Sequence, residues 1–268
     1  MIQYPNIPKY FLKIGNIEFR WYGLMYFLAF VISYLILKYL SKTKKFLSLK
    51  IDKSKLLDIL FYGILGVIIG GRLGYILFYN LEYYINAPLK IFYIWEGGMS
   101  FHGGFIGVVI FEYLFALKNK LNILKFADYL ILPVPIGLAL GRLGNFINGE
   151  LFGRVTNVPW CMNFSSIQSS ASLCRHPSQI YEFFLEGMLL FFILWVFRNK
   201  LKKDGHVFIL FIILYSVFRF FVEFFREPDI NLGFVFLETY TMGQVLSFFM
   251  FIVGILLYLS TLKAKKSR

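Results

Sequence analysis

Seven apolar runs divide the chain, near residues 18–38, 56–79, 97–117, 126–147, 178–197, 205–225 and 241–262. A run of about 20 residues is what a helix needs to cross the ~30 Å hydrocarbon core of a bilayer. Lipid offers the backbone no hydrogen-bond partners, so segments of this kind cross it as helices. Composition agrees: of 268 residues, 58% are hydrophobic and 16% charged, too apolar for a water-soluble domain. The expected fold class is all-α, a polytopic integral membrane protein with about seven transmembrane helices. Residues 1–268 are expected to form a single transmembrane domain with an outer loop at about 148–177. Met1 to Phe19 carries Pro5 and Pro8 and no continuous apolar stretch, so it does not read as a cleavable signal.

The loops between the runs alternate in charge. Lys42, Lys44, Lys45 and Lys50 lie in one, Lys118, Lys120 and Lys125 in a second, Arg198, Lys200, Lys202 and Lys203 in a third, and Lys263, Lys265, Lys266 and Arg268 follow the last run. The intervening loops hold little more than Lys90, then Arg154 and Arg175, then Arg226. The positive-inside rule places the N-terminus outside and the C-terminus in the cytoplasm. It also accounts for the net charge of +13, since these cations suit orientation and anionic lipid; no nucleic acid is expected as a partner.

Polar residues recur at one depth. Arg142 lies seventeen residues from Lys125, Arg219 sixteen from Lys203, His102 sixteen from Lys118, Glu182 sixteen from Arg198 and Arg72 seventeen from Lys55. At 1.5 Å per residue, all stand ~25 Å above the inner anchors, beside the outer headgroups. A charged group in a membrane helix is expensive and by default marks function. The densest stretch is Gly137 to Arg154, GLALGRLGNFINGELFGR, with Arg142, Asn145, Asn148, Glu150 and Gly153. Guanidinium forks match phosphate oxygens, so Arg142 and Arg219 read as an anion site. Arg72 reads instead as the partner of a carboxylate such as Glu82 or Glu182. Glu223 stands four residues from Arg219 and three from Arg226, a ladder on one helix face.

Other features leave alternatives open. Gly71 to Gly74 and Gly141 to Gly144 both read Gly-Arg-Leu-Gly, each fourteen residues or so beyond an Asp, at an offset of 70. That pattern fits two parallel helix-pair units or a chance likeness of glycine-rich helices. His102, flanked by Gly97, Gly98, Gly103 and Gly104, could serve as a general base or pin a glycine turn. Cys161 and Cys174 share the outer loop, where a bridge and two separate thiols are equally compatible. The three histidines and two cysteines have no zinc-ligand spacing, so neither a metal nor another cofactor is expected.

Several stretches resemble those of the prolipoprotein diacylglyceryl transferases: Arg20 to Tyr26, Gly97 to Gly104, Gly141 to Arg154, His176 to Glu182, Arg219 to Asp229 and Met242-Gly243-Gln244. They run in family order over nearly the whole chain, and Gly-Arg-Leu-Gly-Asn-Phe-Ile-Asn-Gly-Glu is the most specific. The departures fall in the outer loop around Cys161 to Cys174. The resemblance implies a multi-pass enzyme of the bacterial inner (plasma) membrane, its active site towards the periplasmic or outer leaflet. Its partners would be phosphatidylglycerol, membrane lipid and prolipoprotein signal peptides with a lipobox. It would move the diacylglyceryl group to the lipobox cysteine thiol, forming a thioether and releasing glycerol phosphate.

Roles follow as expectations. Arg142 binds the phosphate with Asn145 donating beside it, Arg219 faces the developing negative charge, and His102 helps deprotonate the thiol. Tyr26, Asn148 and Glu150 orient the headgroup glycerol or the arginines, Gly153 belongs to the same binding stretch, and Glu223 and Arg226 form a charged network behind Arg219. Two other classes compete. A transporter would carry its polar residues near the midplane, and a phospholipid hydrolase would use water as acceptor.

Overall fold

A computed structural model describes residues 2–5, 7–15, 17–94, 97–164, 173–228, 233–237 and 239–263. Among the described residues, five helical stretches are long and apolar enough to cross a membrane: Trp21–Leu40, Lys53–Phe78, Ile123–Asn148, Ser178–Phe197 and Met242–Leu262. A sixth apolar helix, His206–Val222, is shorter, and Phe101–Lys118 is a helix of 18 residues. The protein is mostly helical, as the apolar runs require.

The chain divides into two compact units, Met1–Ile36 with Leu130–Arg268, and Leu37–Tyr129. In the smaller unit, α2 (Lys53–Leu65) starts at Asp52, whose side chain accepts the Lys55 N–H at 3.0 Å. It runs through a π-helical turn, Gly66–Gly70, into α3 (Gly71–Tyr79). The short helix α4 (Leu81–Asn86) follows. Helix α5 (Phe101–Lys118) starts at Ser100, which caps the Gly103 N–H at 3.2 Å.

Gly66, Gly70 and Gly74 face Gly103 and Gly107 so closely that the backbones touch. A Cβ on Gly70 would stand 2.3 Å from the Gly103 carbonyl oxygen, and one on Gly107 2.1 Å from that of Gly66. Small residues are what let membrane helices approach this way, because lipid supplies no hydrophobic drive for them to associate. The glycines around residue 103 thus admit a neighbouring helix.

In the larger unit, α1 (Trp21–Leu40) contributes its first part. Helix α6 (Ile123–Ile131), which belongs to the smaller unit as far as Tyr129, gives way at Pro133 to α7 (Val134–Asn148) of the larger one. Proline lacks the N–H and clashes with the preceding turn, which is why the helix breaks there and restarts. Then come α8 (Ser178–Glu182), a π-helical segment (Phe183–Leu189) and α9 (Leu190–Phe197). Gly187 in the π segment lies against α7, where a Cβ would meet that of Ala139 at 2.5 Å. Helices α10 (His206–Val222) and α11 (Met242–Lys263) pack together, with Gly254 beside Ile213.

Short strands depart from the all-helical expectation. β2 (Tyr10–Ile14) and β3 (Ile17–Arg20) form an antiparallel hairpin just before α1. β1 (Ile2–Gln3) pairs in parallel with β4 (Met162–Asn163), which pairs antiparallel with β5 (Cys174–Arg175). β6 (Phe234–Phe236) pairs with β7 (Tyr240–Thr241). All lie between the apolar runs or at their ends, where hairpin pairing can satisfy the backbone without a helix. Cys161 and Cys174 are bridged, with Cα atoms 5.4 Å apart, and tie the ends of β4 and β5 together.

Two outcomes are expected on unfolding the detergent-solubilised protein. Gly70→Ala should lower stability by about 1–3 kcal/mol through overpacking, while Gly137→Ala, with nothing within 4 Å of the new carbon, should leave the midpoint unchanged; equal effects would contradict the close helix contact. Cys174→Ser should lower stability by about 3 kcal/mol by releasing the closed loop, and an unchanged midpoint would show that the bridge carries no constraint.

Candidate functional site

Within the larger unit, α7 and α10 bring their arginines to one carboxylate. Arg142 Nε lies 2.6 Å from Glu182 Oε2 and Arg219 Nη1 lies 2.9 Å from Glu182 Oε1. Glu186, one turn further along the same span, stands 3.4 Å from Arg219 Nη1 and 3.7 Å from Arg142 Nη2. Arg219 Nη2 then reaches Glu223 Oε2 at 2.7 Å, and Glu223 Oε1 meets Arg226 Nη1 at 3.3 Å and the Thr241 hydroxyl at 3.0 Å. Three guanidinium groups and three carboxylates therefore form one chain of contacts in which charge balances.

The cluster is dry on one side and open on the other. Glu182 and Glu186 are fully buried, whereas the Arg142 side chain keeps 19% of its surface exposed and Arg219 12%. Among the described residues, Nη1 of Arg142 has no partner. Thus part of the Arg142 fork is left uncommitted while Glu182 holds its orientation. Burying these ions away from water is unfavourable unless each is paired, and here each acid touches at least two cations. Gly243 lies against Glu223, where a Cβ would stand 2.8 Å from the carboxyl carbon.

The end of α7 supplies the next layer. Gly149 takes the left-handed conformation, φ 65°, and returns its N–H to the last turn, a helix stop that glycine favours. That turn carries Glu150 back over the helix. Asn145 and Asn148 both donate their side-chain amides to Glu150 Oε1, at 2.9 and 3.3 Å, and Gln179 donates to the Glu150 carbonyl at 2.7 Å. Tyr4 reaches in from the N-terminus, its hydroxyl 2.8 Å from the Phe146 carbonyl oxygen and 2.7 Å from that of Ile147.

Beyond Glu150, backbone ladders fix the strap. The Gly153 N–H donates to the His176 carbonyl and the Arg154 N–H to the Phe225 carbonyl, both at 2.8 Å. A Cβ on Gly153 would lie 2.3 Å from the Phe225 oxygen, so this glycine serves a close approach of backbones. Arg154 adds bonds to the carbonyls of Arg226 at 2.9 Å and Glu223 at 3.3 Å. His176 packs on Tyr181 and Phe225, and its burial holds the imidazole below its ordinary pKa. Tyr26 pairs with Tyr22, their hydroxyls 3.5 Å apart. Tyr22 in turn covers Gly144, two residues beyond Arg142.

In the smaller unit, Arg72 departs from its expected ion pair with Glu82 or Glu182. It is buried and donates to five backbone carbonyls: those of Lys90, Ile91, Tyr93, Gly97 and Gly98, at 2.5 to 3.3 Å. Its guanidinium also lies over the Tyr84 ring at 5.0 Å. The turn through Gly97 and Gly98, at φ 88° and 79°, aims those carbonyls at it. His102 occupies the first turn of α5, but its side chain lies outside the described residues, as does Asp229.

Sequence reasoning grouped Glu182 with Arg142 and Arg219, which it contacts, but missed Glu186, Thr241 and Gln179 as members of these networks. Glu186 could have been found, since it stands four residues from Glu182 and shares its face. Among the described residues, no three His, Cys, Asp or Glu side chains gather as a metal site.

The buried acid generates a stability prediction. Glu182→Ala leaves Arg142 and Arg219 to share only their longer contacts with Glu186 and should cost about 3–5 kcal/mol. Glu227→Ala, which removes a carboxylate 45% exposed and 3.0 Å from Arg175, should cost about 0–1 kcal/mol. Chemical unfolding of the two variants beside the parent checks this, and similar small losses would deny the cluster its structural weight.

A sequence profile described as prolipoprotein diacylglyceryl transferase matches residues 9–260. Among similar proteins, the phosphatidylglycerol–prolipoprotein diacylglyceryl transferase of Geobacter sulfurreducens is 48% identical over 254 residues, covering 95% of each chain. The protein of the same name from Bordetella parapertussis is 48% identical over 261 residues, 97% of this chain and 98% of its own. That of Legionella pneumophila strain Lens is 47% identical over 258 residues, 96% and 98%. With the profile spanning almost the whole sequence and these relatives nearly half identical from end to end, the chain belongs to the prolipoprotein diacylglyceryl transferase family.

Proposed function

We infer that this protein is a transferase that moves the diacylglyceryl group of phosphatidylglycerol to a prolipoprotein, the first step of lipoprotein maturation. One observation carries the chemistry beyond the family name: Arg142 and Arg219 arrive from separate helices at a shared carboxylate, with Arg142 part exposed. Two forks side by side match a phosphodiester better than lysines would.

In the proposed reaction the acceptor is the lipobox cysteine. Its sulfur attacks the glycerol carbon that bears the phosphate, the C–O bond breaks, and glycerol phosphate leaves with the electron pair. The thiol proton passes to a base, the role assigned to His102. Arg142 holds the phosphate with Asn145 beside it, its 3.7 Å contact to Glu186 being the one a phosphate oxygen displaces. Arg219 stabilises the charge that develops on the leaving group. Asn148, Glu150 and Tyr26 orient the headgroup glycerol, Gly153 keeps that stretch in place, and Glu223 and Arg226 hold Arg219 from behind. Nearby cations also favour the thiolate of the substrate.

The alternation of Lys-rich and Lys-poor loops supports seven spans, an outer N-terminus and a cytoplasmic C-terminus. The whole chain acts as one transmembrane domain of the bacterial inner membrane, its site towards the outer leaflet, whose phospholipid enters sideways. Offset placement of the polar layer argues against a transporter.

The purified protein with phosphatidylglycerol should raise the mass of a lipobox peptide by one diacylglyceryl group. Diacylglycerol release without peptide would favour the hydrolase. Arg142→Lys should lower kcat/KM by about 10–100-fold through loss of the fork, and near-normal activity would contradict bidentate phosphate binding.

A further inference from the structure

The N-terminal hairpin borders a groove of which the roles above use one wall, Asn148 and Glu150, and leave the hairpin side unassigned. β2 and β3 pair with each other alone among the described residues, so each has an edge with no strand beside it. A cavity of about 790 Å³ lies between this hairpin, the first turns of α1 and the end of α7. Glu18, Phe19 and Arg20, three consecutive residues of β3, line it, while β2 supplies only Phe11. Neighbouring side chains of a strand point to opposite faces. Three in a row at one cavity means that the cavity follows the edge of β3, where unpaired backbone groups lie.

The far wall is Asn148 and Glu150. Asn148 Oδ1 is buried without a hydrogen-bond partner, and Glu150 is held by Asn145, one turn from Arg142 on α7. Edge and wall together call for an occupant that carries its own donors and acceptors in a row. An acyl chain has none. A lipid phosphate would face the carboxylates of Glu18 and Glu150 with Arg20 as the cation of the lining, and Arg20 already stands 3.7 Å from Glu18.

We propose that this groove docks the substrate polypeptide in extended form, as a strand added to the free edge of β3, which delivers it past Glu150 to the arginine cluster. The inference rests on the transfer reaction proposed above. The segment is the stretch around the reacting cysteine, where the prolipoprotein leaves its apolar membrane helix and its backbone needs new partners. Strand addition supplies them, and pockets for alternate side chains supply selectivity; here Phe11, Phe19, Leu24 and Phe27 form the apolar part of the lining.

The test uses the full chain in phosphatidylglycerol-containing nanodiscs and lipobox peptides N-methylated at one backbone amide each, on both sides of the cysteine. Each methyl removes one donor. The peptide KM should rise about 3–10-fold at alternate positions, the worth of one backbone hydrogen bond, and stay level at those between, with the KM for phosphatidylglycerol unchanged. Benzoylphenylalanine in place of Phe19 should photo-crosslink to the peptide, and in place of Leu35 it should not. A flat N-methyl profile, or crosslinks from position 19 to phospholipid alone, overturns the docking site. The unmethylated peptide separates the two readings. If it is lipidated while the profile is flat, docking fails by itself; if it is never lipidated, the reaction fails and docking with it.

Discussion

Glu182 governs how the helices of the larger unit can be arranged. A carboxylate with no exposed surface in an apolar span would be untenable alone. Its two oxygens are met by guanidinium groups from α7 and from α10, so three spans are locked in rotation and height by a single side chain. Glu186 and Glu223 extend the lock to Arg226 and, through Thr241, to the start of α11. The π-helical segment that carries Glu186 and the glycine beside Ala139 fit the same need: they set the acid-bearing span against α7. A π-turn inside a helix is uncommon and often accompanies a working site.

The same arrangement suits anion chemistry. Preorganised cations act most strongly where water is excluded, because they need not reorient as charge develops. A guanidinium with no surface left exposed could not do this, and both Arg142 and Arg219 keep some. Arg142 is not fully spent, since its second carboxylate contact is long and its fork part exposed. In the proposed reaction the acids are holders and the arginines do the binding, with Glu150 and its two asparagines completing the wall at the end of α7.

Much of this was legible in the residues. Apolar run length gave the helices, and counting from basic anchors put Arg142, Arg219 and Glu182 at one height. The expectation that failed was the carboxylate partner of Arg72. Both arginines sit in Gly-Arg-Leu-Gly, yet one meets carboxylates and the other a ring of carbonyls. Backbone acceptors have no letter in a sequence, so a cage of them is invisible until the Gly97-Gly98 turn is seen. The hairpin at 10–20 was hidden for a related reason, its short alternation being overshadowed by the long runs. The cysteine pair was undecidable because spacing does not report Cα separation.

Whether the two arginines grip one phosphate is tested most directly by a structure of the enzyme bound to a non-transferable phosphonate analogue of phosphatidylglycerol. The account predicts phosphonate oxygens about 2.8 Å from the guanidinium groups of both Arg142 and Arg219, with the Arg142–Glu186 contact broken. A phosphonate bound elsewhere, with every contact of Arg142 and Arg219 to Glu182 and Glu186 intact, would contradict it.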